Sequence, residues 1–164
     1  MQRGASLIET VIYIFIFTML AVAMINALLS LSASYAAIRS SVALETAAET
    51  ALEKISREAR NSSSIDLAQS TFNSSPGVLV LNSTDEADSP LTLEFYLSDE
   101  RVRLRENGVD IGPLSSSGTR ITELVFYRII TSNSEAVRIR MTAESGDKSR
   151  TFYATAVLRG SYAP

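Results

Sequence analysis

Arg3-Gly4-Ala5-Ser6-Leu7-Ile8-Glu9 runs straight into an apolar segment, Val11 to Leu31, and no charge follows Glu9 until Arg39. A helix that spans a bilayer needs about 20 mostly apolar residues. Tyr13, Phe15, Phe17, Met19, Leu20, Val22, Met24, Ile25, Leu28 and Leu29 make this one apolar on every side, whereas a core helix of a soluble domain keeps one polar face. A secretory signal peptide would carry a shorter apolar region, about 7–15 residues, although the small residues near Ser34-Tyr35-Ala36 could pass as its cleavage site. Glu9 is the costly residue. An acid within a membrane helix costs about 2.5–3.5 kcal/mol at the centre and less near an end. The first helical turn lowers that cost, because the helix dipole favours an anion there. An ionisable group in such a place has a partner by default. A new α-amino group made by cutting after Gly4 would be one, since Glu9 lies one turn beyond Ala5 and a neighbouring copy could offer its amine.

The helix is expected to continue past the membrane, for Ser32 to Asn61 holds no Gly or Pro. Ala37, Ile38, Val42, Leu44, Ala48, Leu52, Ile55 and Ala59 recur at helical spacing on one face. Glu45, Glu49, Glu53 and Arg57 form another row. Asn26 and Ser30 are the weak points of the apolar part. Roughly 55 helical residues would reach about 80 Å. Asn61-Ser62-Ser63-Ser64 ends the helix, and a polar connection leads to Pro76-Gly77. The rest reads as strands: Val78 to Leu81, Leu91 to Leu97, Arg101 to Arg105, Ile121 to Thr131, Ala136 to Ala143, and a last one through Phe152, Ala154, Ala156 and Leu158. Ser98-Asp99-Glu100 and Ser145-Gly146-Asp147 turn the chain, and Asn107-Gly108 is the strongest hairpin dipeptide. Short turns imply an antiparallel meander with one apolar face, covered by the outer half of the helix. The expected fold class is therefore α+β, a long N-terminal membrane-spanning helix whose outer half packs on an antiparallel β-sheet.

With 164 residues the chain has room for one anchor and one modest domain. It has no Cys and no His, which removes disulfides, Cys/His metal sites and the usual nucleophile and general base. The sequence gives no sign of an enzyme or a cofactor. Asp85, Glu86 and Asp88 form an acidic loop; solvated charge is its ordinary reading, and Ca²⁺ held by oxygens is the alternative. A net charge of −3 gives no general pull toward nucleic acid. Arg101, Arg103 and Arg105 alternate along one strand, and Arg138 and Arg140 along another. If the two strands lie close they form a basic ribbon for DNA, an anionic glycan or an acidic patch; surface arginines paired with nearby Glu are the plain reading. Arg3 and the starting amine favour a cytoplasmic N-terminus.

Gly4-Ala5-Ser6-Leu7-Ile8-Glu9 followed by the long apolar helix resembles the class III signal of type IV pilins and type II secretion pseudopilins. The resemblance implies that a prepilin peptidase cuts between Gly4 and Ala5 and methylates the new amine of Ala5. It makes Glu9 the glutamate that recruits and registers an incoming subunit. It divides the chain into a leader (1–4), a transmembrane and filament-core helix (5–31), an amphipathic outer half (32–61) and an extracytoplasmic β domain (62–164). The partners it implies are other pilin or pseudopilin subunits, the peptidase, an inner-membrane assembly platform, and lipid before assembly; DNA is a further possible partner. Two departures stand out. The family usually has Phe or Met after the glycine, where this chain has Ala5, and its major members often carry a proline in the apolar helix, which this chain lacks. Both favour a minor member, J-like or PilW-like by strand order. A membrane-anchored monomeric binding module is the alternative, and for it neither the cut nor the spacing of Glu9 would matter.

Overall fold

Leu7–Asn61 is a single α-helix, α1, in the computed structural model, as expected of a stretch with neither Gly nor Pro. The structure describes residues 7–85, 87–115, 118–132 and 134–161. Asn26 and Ser30, the polar breaks in the apolar half, do not interrupt the helix. It ends where Ser62 Oγ donates to the Glu58 carbonyl at 2.6 Å, which satisfies one of the last unpaired carbonyls. Ser63 N then donates to the Asn82 carbonyl at 2.8 Å and hands the chain to the first sheet.

The chain divides into two compact units between Arg39 and Ser40. In the first, none of residues 7–39 is buried, and large apolar side chains stand exposed from Leu7 to Ile38. Length and composition make α1 the one candidate membrane span among the described residues.

The second unit holds the strands: β1 (Ser64–Ile65), β2 (Leu79–Thr84), β3 (Pro90–Ser98), β4 (Arg101–Glu106), β5 (Val109–Pro113), β6 (Arg120–Thr131), β7 (Ser134–Ser145) and β8 (Lys148–Val157), with a 3-10 turn at Arg159–Ser161. They form two antiparallel sheets rather than one meander, a five-stranded sheet in the order β1-β2-β3-β4-β5 and a three-stranded sheet in the order β6-β7-β8. The break falls after Pro113, which ends β5 beside Gly112 at φ 125°. Proline cannot donate to a further ladder. The chain crosses over through Leu114 N to the Val102 carbonyl at 2.7 Å and Ile121 N to the Glu100 carbonyl at 2.8 Å.

The hairpin over Asn107 and Gly108 forms as expected, with φ 47° and 83°, the left-handed pair that a two-residue turn between twisted strands requires. Between β3 and β4, Asp99 and Glu100 adopt the same pair of left-handed conformations, φ 53° and 56°, without a glycine. A positive φ at a glutamate is uncommon and strained.

Both sheets and α1 share one core. The helix contributes Leu44, Ala47, Ala48, Ala51, Leu52, Ile55, Ser56 and Ala59. The alanines let the sheets approach closely, and Leu79, Leu81, Leu93, Phe95, Leu124, Phe126, Ile139 and Met141 fill the space opposite. Burying each such large side chain is worth roughly 1.5–3 kcal/mol. The buried stripe starts later than the apolar pattern does. Leu44 is its first member, while Ile38 and Val42 stay exposed and Ala37 with them. The pattern marks a face, and only the part alongside the sheets is covered.

Candidate functional site

Gly4 and Ala5, the expected processing residues, lie outside the described residues. Glu9 lies in the first turn of α1. It is exposed, as are its apolar neighbours Ile8, Val11 and Ile12. Tyr13 stands one turn on, and its hydroxyl donates to Glu9 Oε1 at 3.1 Å. A membrane-length helix with none of its residues 7–39 buried and one carboxylate at its start is suited to two surroundings. It can lie in lipid, or it can pack with other helices and offer that carboxylate to a donor from outside the chain.

The two arginine-bearing strands do not join into one ladder. Arg101, Arg103 and Arg105 are on β4 and Arg138 and Arg140 on β7. These strands lie in different sheets and do not pair. Three of the five arginines hold carboxylates. Arg103 donates through Nε and Nη2 to Asp110 Oδ2, at 3.0 and 2.6 Å. Arg105 Nη1 reaches Glu94 Oε2 at 2.6 Å, and its guanidinium lies 4.7 Å from the centre of the Tyr96 ring. Arg140 Nη2 reaches Glu123 Oε1 at 2.5 Å and lies 5.8 Å from the Tyr127 ring, leaving its buried Nε without a hydrogen bond.

The electrostatics follow the pairing. The hydrogen bond from Arg103, helped by one from the Gly112 amide, holds the Asp110 carboxyl below its ordinary range. Hydrogen bonds to Asp110 and to Glu94 raise Arg103 and Arg105 respectively. Around Arg105 on the first sheet and Arg140 on the second, cation, ring and acid neutralise one another.

In the acidic loop, Asp85 Oδ1 accepts from the Ala87 and Ser89 amides, both at 2.8 Å. Asp88 takes φ 57°, and its amide donates to the Asp85 carbonyl at 3.1 Å. One oxygen of the proposed Ca²⁺ set is thus occupied in folding the loop. Glu86 lies outside the described residues. Among the described residues no three acids come together as a metal site would need.

Comparison with family models, with curated proteins and with solved structures finds no match to this chain.

Two further features sit where the helix meets β8. Lys148 Nζ donates to Ser41 Oγ at 2.5 Å and Arg150 pairs with Glu45, so the start of β8 clasps the first turns of the second unit. Farther along, Glu49, Glu53, Arg57, Arg60, Phe152 and Tyr153 border an open groove. Of the residues around the expected site, sequence reasoning passed over Tyr13 as one more apolar residue of the span. The signal was its spacing, a tyrosine four residues after a lone glutamate, which a helix places on the same side.

Proposed function

We propose that this chain is a structural subunit, minor rather than major, of a type IV pilus or a type II secretion pseudopilus. The observation that carries the reading is Glu9: a single carboxylate in the first turn of a helix none of whose residues 7–39 is buried. Such a helix needs many apolar neighbours and one positive one. Lipid supplies the first before assembly, and packed helices of sister subunits supply them afterwards. The amine of Ala5, released by a cut after Gly4 and then methylated, supplies the second. In this reading the N-terminus is cytoplasmic, the chain crosses the membrane once, and the unit carrying the two sheets is extracytoplasmic and forms the outer shell of the filament. Motive force comes from a separate ATPase, and the chain's own task is to pack.

Mass spectrometry of the native chain tests the first step, with a chain beginning at N-methylated Ala5 as the expected result. Glu9→Val then tests the second. The variant should be cut normally but be missing from sheared filaments. A native chain that still begins at Met1, or normal filaments from Glu9→Val, would overturn the reading.

A further inference from the structure

A carboxylate stored in a bilayer before any partner arrives cannot wait unpaired. In an apolar medium an unsatisfied polar group costs several kcal/mol, and a charged one costs more. Among residues 7–38 Glu9 is the only charged side chain. The polar side chains of that stretch are few, and they are hydroxyls, one amide and two phenols. One of these, Thr18, turns its hydroxyl to its own helix, donating to the Ile14 carbonyl at 2.7 Å. The Tyr13 hydroxyl does not; it donates to Glu9 Oε1 at 3.1 Å.

The geometry points to Tyr13 as the positioning residue for Glu9, an inference that rests on the filament reading for its final step. A phenol on a rigid ring has few rotamers to lose, so it can fix the carboxylate at small entropic cost. It binds through Oε1 alone. A carboxylate accepts at both oxygens, with about four lone-pair sites in all. The bond therefore leaves Oε2 for a second donor, the amine of a sister chain. Tyr13 does two jobs in sequence: it satisfies the acid while the chain is held in lipid, and it keeps the acid aimed when the amine arrives. No proton transfer is involved, and the hydroxyl remains a donor throughout.

The test uses the full chain, labelled with ¹³C at tyrosine Cζ and at the glutamate carboxyl, in phosphatidylethanolamine–phosphatidylglycerol vesicles, read by solid-state NMR. The signals of interest are the one lost in Tyr13→Phe and the one lost in Glu9→Leu. Each should shift by more than a linewidth when the other residue is replaced. In cells, Tyr13→Phe should leave the N-terminal cut unchanged and lower the yield of sheared filaments about threefold, the factor that corresponds to an average side-chain hydrogen bond within a membrane. Signals that stay put on cross-substitution would overturn the inference, and so would coupled signals with an unchanged filament yield while Glu9→Val abolishes filaments. Coupled signals together with normal filaments from Glu9→Val would keep the bond and reject the filament reading instead, so the two failures are distinguishable.

Discussion

One helix serves two regions that differ in how much they satisfy themselves. From Ser40 onward, α1 finds its neighbours in its own chain: Ala48, Ala51, Ile55 and Ala59 are wholly covered by sheets that arrive later in the sequence. Among residues 7–39 none is buried, and Phe15, Phe17 and Leu28 remain more than 60% exposed. The residue types are not what separates the halves, since Leu, Ile and Ala occur in both. The lesson is about where the complementary surface resides. For the second region it is encoded in the same chain. For the first, the large apolar side chains stand exposed, and this is the surface that the proposed packing would use.

The sharpest way to break this contrast is to make the same truncation on both sides. Phe95→Ala, in the core of the second unit, should lower unfolding stability by about 3–5 kcal/mol. Phe15→Ala should leave the same urea transition, followed by circular dichroism of the full chain in detergent, within about 0.5 kcal/mol. Equal losses from the two substitutions would mean that the units are not separate as described. Adding volume probes the same contrast at smaller scale. Ala51→Leu must force its way between helix and sheet and should cost about 1–3 kcal/mol, while Ala36→Leu, on an exposed turn, should cost nothing measurable in that transition. Smaller still is the clasp at the boundary. Arg150 and Glu45 are both well exposed, so Arg150→Ala should cost less than about 1 kcal/mol, and added salt should erase most of the difference.

The faintest effect belongs to the sheet face. The folded state holds Asp110 ionised more readily than the unfolded chain does, because of Arg103. Its contribution to stability is therefore present above the ordinary carboxylate range and is lost as pH falls through the lowered folded value. Asp110→Asn should flatten the acid limb of a plot of urea midpoint against pH, and should change its shape little at neutral pH. An unchanged acid limb would mean that the Arg103 pair does not persist in solution.

Much of the fold could be read from residue order. Alternation marked the strands around Leu93, Val102, Leu124 and Ile139, because each faces one core and the period of a strand is two. Asn107-Gly108 gave its hairpin for a steric reason that holds anywhere. β5 was missed because Val109-Asp110-Ile111-Gly112-Pro113 carries the very residues that ordinarily break strands, and as an edge strand it can tolerate them. β1 is two residues long, too short for any pattern. The division into two sheets was not legible either, since alternation tells a strand which face is inward and not which strand is its neighbour. The same gap leaves Arg101–Arg105 and Arg138–Arg140 open to being read as neighbours, whereas their strands lie in different sheets and do not pair. At the candidate site the odd residue, Glu9, stood out on cost alone. Tyr13 did not, because a phenol is apolar enough to pass unremarked in a greasy helix, and its hydroxyl matters only once a helix sets it four residues from an acid.

The end of α1 is also a junction. Ser62 receives the Gly160 amide at 3.3 Å and Ser63 holds Asn82, while the Gly160 Cα lies so close to the Ser63 backbone that an added Cβ would come within 2.3 Å of its carbonyl oxygen. The helix end is therefore tied to the first sheet through Ser63 and to the segment after β8 through Ser62. A side chain at Gly160 would push against the Ser63 backbone, so one substitution there would loosen the fastening of the helix end to both sheets at once.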